Sequence, residues 1–296
     1  MHEILKLVES FLADARGQNG KSPVKHLGFI SCANLVHIRH VSFYDPCMIL
    51  VLAGKKQIFS AKESLTADVG SLLTVPAPAS FDLRNEPDQR VRQYRALIIP
   101  FQREHLERLR KTHDIQHVGQ RDQAEVLKFE ADAGLTASIK HYLQSPPASR
   151  LLDHRLMEIL LILVQQDARL LSYVLTGESW SQRVRAILST DLARDWDLAK
   201  LCQCLTTSES TLRRHLRREN SGFRELLYDL RLNAALMQLL QTSLPVYQIA
   251  DACGYQSVPR FTSNFRKRFG LPPSALRTSM DGKEQKLAVN GHVVSN

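Results

Sequence analysis

The stretch Val246-Tyr247-Gln248-Ile249-Ala250-Asp251-Ala252-Cys253-Gly254-Tyr255-Gln256-Ser257-Val258-Pro259-Arg260-Phe261-Thr262-Ser263-Asn264-Phe265-Arg266-Lys267-Arg268-Phe269-Gly270 decides the reading of the last third of the chain. Val246, Ile249, Ala250 and Cys253 form one apolar stripe at helical spacing. Pro245 precedes the stripe, where a missing N–H leaves nothing unpaired. Gly254-Tyr255 then supplies a sharp turn, and Ser257 is a good N-cap for a second helix with Pro259 in its first turn. Phe261, Phe265 and Phe269 fall at i, i+4 and i+8 on one core face, leaving Arg260, Ser263, Arg266, Lys267 and Arg268 on the others. Two short helices joined by a tight turn, the second apolar on one side and basic on the other, make a helix-turn-helix unit.

About fifty residues upstream the plan repeats. Leu198, Leu201, Cys202 and Leu205 make a first helix, Thr206-Thr207 a turn, and Ser208 caps a second helix whose core residues are Leu212 and Leu216. Ser208, Glu209, Ser210, Arg213, Arg214, Arg217 and Arg218 are left outside. Between the units, Phe223 to Gln241 reads as one long helix. A rigid helix joining two reading heads suits successive major-groove faces, roughly 34 Å apart on B-DNA. The charge distribution agrees. The 296-residue chain carries a net charge of +9, and residues 178–280 hold fifteen Lys and Arg against nine Asp and Glu. Two thirds of the surplus lies in one third of the chain, which favours a polyanionic partner.

Residues 180–277 resemble the DNA-binding domain of the AraC/XylS family of bacterial transcription regulators. The resemblance rests on the two units in register, on Ile249 to Tyr255, and on Phe261, Phe265, Arg266, Arg268-Phe269-Gly270 and Pro273. It implies that the first recognition helix reads DNA through Ser208, Glu209, Ser210, Arg213 and Arg214, with Arg217 and Arg218 toward phosphates. For the second helix it implies Ser257, Val258, Arg260, Thr262, Ser263, Arg266 and Lys267. Here the chain departs from the family, because Ser263 stands where a longer, often basic residue is common and Pro259 offers no donor. A bidentate Arg contact to guanine supplies about 1–3 kcal/mol of discrimination that Ser and Pro cannot. The upstream unit is therefore expected to read bases and the downstream one to hold the backbone.

Outward from this region the pattern changes. Residues 2–16 carry a helical period, and Gln18 to Pro23 reads as a loop. From about 27 to 100, short apolar or alternating runs are separated by Pro, Gly, Asn and Asp, which predicts a small antiparallel barrel or sandwich. Ala53-Gly54-Lys55-Lys56 reads as a hairpin turn with solvated charges, or as a place for a ligand carboxylate at Lys55 and Lys56. Tyr44-Asp45-Pro46 and Leu50 to Lys55 resemble the family's cupin-like barrel. Helices are predicted over about 102–113, 122–144 and 151–166, the last with Leu152, Leu156, Ile159, Leu160 and Leu163 on one broad face. In the family such helices serve dimerisation, so a homodimer through about 102–166 is implied.

The predicted class is α+β. Residues 1–177 would form a regulatory and dimerisation domain (barrel about 27–100, helices about 102–175), and 178–280 an all-α DNA-binding domain. Thr176 to Ser179 would link them, and a frayed tail would follow from 281. Five cysteines without an export signal argue against a disulfide framework. No apolar run approaches the roughly 20 residues that span a bilayer, and the N-terminus lacks a basic-then-apolar segment, so a cytoplasmic, nucleoid-associated protein is expected. Cys202-Gln203-Cys204 is too short a spacing for a metal site. His37 and His40, three apart on a strand, are placed on opposite faces, and no metal or cofactor is predicted. The function read from the chain is a sequence-specific regulator, an activator in the family's manner, with double-stranded DNA and RNA polymerase as partners and a fatty acid, other small molecule or protein as effector. The alternatives are a cupin-type metal enzyme fused to a DNA-binding module, or a regulator controlled only by a protein partner.

Overall fold

The computed structural model describes residues 1–16, 27–60, 63–113, 125–145, 150–174 and 179–281. The loop read over Gln18 to Pro23, most of the linker at 176–179 and the tail beyond 281 lie outside these residues.

Helix α1 (His2–Arg16) precedes eight strands: β1 (Gly28–Cys32), β2 (Val36–Phe43), β3 (Cys47–Ala53), β4 (Lys55–Phe59), β5 (Ser64–Ala67), β6 (Ser71–Val75), β7 (Ala79–Glu86) and β8 (Tyr94–Pro100). After α2 (Arg103–Thr112) a ninth strand, β9 (Leu127–Glu130), completes the set. The strands form two antiparallel sheets, ordered β1-β8-β3-β6-β9 and β2-β7-β4-β5. Of the barrel or sandwich expected, the described strands form the two-sheet sandwich, and the α+β class stands.

The five-stranded sheet is buried on both faces, which is why β3 reads as an unbroken apolar run. Cys47, Ile49 and Val51 face the second sheet together with Leu73, Val75 and Ala96. Met48, Leu50, Leu52, Leu72, Leu97 and Ile99 face the helices. Gly54 is where the chain leaves one sheet for the other. β3 pairs with β6 and β8, whereas β4 pairs with β5 and β7, so the hairpin expected at Ala53 to Lys56 does not form. The two lysines are instead the first residues of β4, and period-two alternation sends them opposite ways. Lys55 is half-exposed, 3.5 Å from Asp68, and Lys56 is fully buried between the sheets.

Two further expectations are corrected. The helix predicted over 122–144 is β9 followed by α3 (Ala133–Gln144), because Leu127-Lys128-Phe129-Glu130 alternates and pairs with the β6 edge. His37 and His40 do not lie on opposite faces. A bulge between Ile38 and Val41 sets Arg39 and His40 against Asp82 alone, with His40 at φ +49° and its N–H donating to Asp82 Oδ1 at 2.8 Å. Both histidines are therefore exposed.

α4 (Arg150–Gln166) buries Leu156, Ile159, Leu160, Leu163 and Val164 in one core with α1, α2, α3 and the outer face of the larger sheet. His105 and Arg108 of α2 hold Asp153 of α4 at 3.0 and 2.6 Å. The apolar face that motivated dimerisation is consumed inside the subunit. A short 3-10 helix, Ala168–Val174, closes this half.

The C-terminal third contains α5 (Trp180–Leu188), α6 (Leu198–Leu205), α7 (Glu209–Arg218), α8 (Phe223–Gln241), α9 (Val246–Ala252), α10 (Val258–Phe269) and α11 (Pro273–Asp281). α5, α6, α7 and the first half of α8 share a core of their own around Leu201, Leu212, Leu216 and Leu226. The second half of α8, with α9, α10 and α11, packs into the same core as the sandwich interior. β1 and β2 are the edge strands on one side of the two sheets, and α8, α10 and α11 cover them. Raw strand edges invite pairing with other chains, so covering them also protects the fold.

Candidate nucleic-acid interface

The upstream unit is built by capping. Asp197 accepts the Lys200 N–H at 2.7 Å to open α6. Thr206 ends it in the left-handed region, φ +50°, and Ser208 Oγ accepts the Thr211 N–H at 3.2 Å to open α7. Leu212 and Leu216 are buried, which turns Ser210, Arg213, Arg214, Arg217 and Arg218 to the surface. The two candidate reading arginines are not equivalent. Arg213 lies 3.3 Å from Glu209 one turn back, whereas Arg214 has no ion pair among the described residues. Glu219, at the end of α7, accepts the N–H groups of Trp180 and Ser181 at 2.8 Å each and so fixes α5 to the unit. Trp180 stacks on His215 at 4.5 Å, and Trp196 is buried with its indole N–H donating to Asp191 O at 2.7 Å.

The downstream unit is built around its aromatic stripe. Phe261, Phe265 and Phe269 are wholly buried, with successive ring centres 5.6 and 4.6 Å apart. Ser257 Oγ accepts the Arg260 N–H at 3.4 Å, and Val258, Pro259, Arg260, Ser263, Arg266 and Lys267 are exposed, with Thr262 half-buried. Arg268 faces the other way: it donates to Ser42 Oγ of β2 at 2.9 Å and lies 3.5 Å from Asp229 of α8. Its position three residues after Phe265 and one before Phe269 puts it beside the core face, which a helical wheel shows but a count of basic residues does not.

A residue the sequence reading passed over touches both units. Arg231, in the middle of α8, donates to the carbonyls of Leu192 and Arg194 at 3.0 Å each. Its guanidinium also lies against the turn of the downstream unit, where Gly254 takes φ +76°. A methyl group there would meet Leu192 O at 2.5 Å and the guanidinium at 2.6 Å. One side chain on the joining helix therefore touches the α5–α6 loop of the first unit and the turn of the second.

Inside the sandwich sits the molecule's most conspicuous polar group. Lys56 Nζ donates to Asn85 Oδ1 at 3.0 Å and lies 5.7 Å from the centre of the Tyr94 ring. Burial lowers its pKa from 10.5 to about 8. The Tyr94 hydroxyl is buried without a hydrogen-bond partner in the described residues. The surrounding side chains include Cys32 and Cys47, whose thiols burial pushes up to about 12. An ammonium has three donors, and one is used here. The signal was in the sequence, since Lys56 is in phase with Ile58 and hence inward.

Among the described residues no helix is long and apolar enough to cross a membrane, and no three His, Cys, Asp or Glu residues form a group that could hold a metal. Cys202 is buried and Cys204 exposed.

Residues 201–279 match the helix-turn-helix domain family, and residues 46–173 match the ExsA N-terminal regulatory domain family. The two matches lie one in each half of the chain, and its relatives are AraC-family regulators. These relatives include the transcriptional activator CfaD of Escherichia coli, 32% identical over 110 residues, which are 37% of this chain and 42% of CfaD. The transcriptional regulator YdeO of Shigella flexneri is 40% identical over 95 residues, 32% of this chain and 37% of YdeO. The match thus spans about two fifths of the length of these relatives. Over the larger part of the chain, the fold is like that of an apo point variant of ToxT from Vibrio cholerae, with TM-score 0.62 at 14% identity over 86% of this chain and 97% of that one. Wild-type ToxT from the same strain with an unsaturated fatty acid bound gives 0.60 at 13% identity over 88% and 97%.

Proposed function

We propose that the protein is a sequence-specific DNA-binding transcription regulator whose upstream unit does most of the base reading. The observation that carries this is the pair of capped recognition helices, both with exposed outer faces, joined by a single helix of about 28 Å and braced by Arg231. With Arg213 engaged by Glu209, Arg214 is the side chain best placed to fork onto a guanine edge. Arg217, Arg266 and Lys267 supply the sequence-blind phosphate attraction. Selection from a randomised duplex library should show Arg214→Ala losing preference at one base position by about 1–3 kcal/mol. Lys267→Ala should weaken binding to every sequence alike and lower the salt slope by about 1. Reversed effects would reject the assignment.

The N-terminal sandwich is the sensing half of this reading, and the ligand it suits is a small acid. Lys56 has unused donors in an apolar interior beside the unpaired Tyr94 hydroxyl, and a carboxylate would engage both. The fatty acid bound by ToxT supports an effector of that class. Lys55 lies outside this interior and would not take part. With oleate as the probe, the thermal midpoint should rise for the wild type and stay unchanged for Lys56→Met; equal rises would remove Lys56 from the site. An activator of this type would also meet RNA polymerase. A homodimer through 102–166 would use the exposed Leu151 and half-buried Ile162 on one side of α4, since Leu156 and Leu160 are taken.

A further inference from the structure

Leu244, Tyr247 and Val258 are three of the seven large hydrophobic side chains exposed among the described residues, and all fall within fifteen residues of the downstream unit. Val258 is the first residue of α10 and is 39% exposed. Pro259, next to it, is exposed too and has neither a side-chain donor nor an N–H. The Oγ of Ser257 is occupied in capping the helix. The tip of this recognition helix, the part that reaches base edges, therefore presents carbon at two adjacent positions. Aliphatic carbon cannot hydrogen-bond to guanine, adenine or cytosine edges. The base-edge feature it can bury is the C5-methyl group of thymine.

We propose that Val258, with Pro259, reads thymine methyl groups in the half-site under the downstream unit, so that this unit is selective and not only a phosphate clamp. The inference rests on the DNA-binding function proposed above. Tyr247 and Gln248, in the first turn of α9, give the unit a polar anchor. Gln248 Nε2 donates to the Tyr247 hydroxyl at 3.1 Å, which orients that hydroxyl and leaves its proton to donate to a phosphate. Arg266 and Lys267, two turns along α10, are exposed where the helix leaves the tip. Methyl recognition needs no donor at Ser263 or Pro259, which accounts for the departure of both from the family pattern.

The test uses the full-length protein and the duplex selected from the random library. Each thymine of the downstream half-site is replaced in turn by deoxyuridine, which removes the methyl group and keeps every hydrogen bond. The wild type should bind the substituted duplex roughly fourfold more weakly at each contacted thymine, the worth of one buried methyl. Val258→Ala should bind the unmodified duplex more weakly and no longer distinguish thymine from uracil there. Uracil substitutions in the upstream half-site should affect wild type and Val258→Ala equally. Because the modification is in the DNA, the wild-type arm does not depend on any variant folding. Equal binding of thymine and uracil duplexes by the wild type, or a loss that persists in Val258→Ala, would overturn the proposal. Selection of no preferred duplex would instead overturn the DNA-reading function beneath it.

Discussion

Lys56→Met should stabilise the protein at pH 7, and the gain should shrink as the pH is raised through 8 toward 10.5. Burial holds the Lys56 pKa near 8, against 10.5 for the ordinary group. Below pH 8 the side chain is charged in both folded and unfolded chains, and only the folded chain carries the desolvation penalty, about 3 kcal/mol for a shift of this size. Between pH 8 and 10.5 the unfolded chain binds the proton and the folded one does not, so the wild type gains stability with rising pH. Above 10.5 both forms are neutral and the penalty is gone. Methionine has no such dependence. Part of the gain at pH 7 is offset because the Asn85 carbonyl loses its donor, a loss of about 1–3 kcal/mol, and Lys56→Met/Asn85→Leu removes that contribution. The measurement is the difference in thermal midpoint between variant and wild type from pH 7 to 10.5. A difference that does not change with pH would show that Lys56 is not held in an apolar site.

Gly54→Ala should be among the most destabilising single changes in the N-terminal half. The residue sits at φ +75° at the corner where the chain passes between sheets. A methyl group there would lie 2.3 Å from the carbonyl oxygen of Glu86, 3.1 Å from Asp88 N and 3.2 Å from Tyr94 Cα, all backbone atoms. The left-handed conformation alone costs an L-residue roughly 1–2 kcal/mol. The clash adds the displacement of β7 or β8, for a total on the order of 4 kcal/mol. Gly222→Ala is the matched control, because its methyl group would meet nothing within 4 Å and its backbone is extended, so the loss there should stay under about 1 kcal/mol. Urea midpoints of the two variants decide the matter. Similar losses would mean that the corner can relax.

The helix-turn-helix units were legible because each depends on local chemistry. A cap such as Ser208 or Ser257, a turn such as Gly254-Tyr255 and a stripe such as Phe261, Phe265 and Phe269 all lie within one or two turns of each other. The N-terminal half was less legible because its organisation is nonlocal. Whether Gly54 closes a hairpin or crosses between sheets depends on the partners of β3 and β4, which lie up to about fifty residues away. β9 was missed because four alternating residues between helical stretches carry little weight until the β6 edge that receives them is known. The exposure of His40 turns on a single extra residue in β2, and a bulge reverses the face of everything beyond it. In the candidate site, the exposed arginines of α7 followed from the period. The pairing of Arg213 with Glu209, the inward turn of Arg268 and the bracing role of Arg231 needed neighbours that only the fold supplies.

The cover that α8, α10 and α11 place over β1 and β2 also bears on how the chain is made. The two edge strands end at Phe43, and α8 begins at Phe223. At roughly 5–20 residues per second, a ribosome needs about 10–40 s to synthesise the intervening stretch. Once the last strand ends at Glu130, the sandwich keeps these two edges and an apolar mouth uncovered until α8 is made. A newborn chain is thus most exposed to aggregation before its DNA-reading half emerges, and that half completes the fold of the part made first.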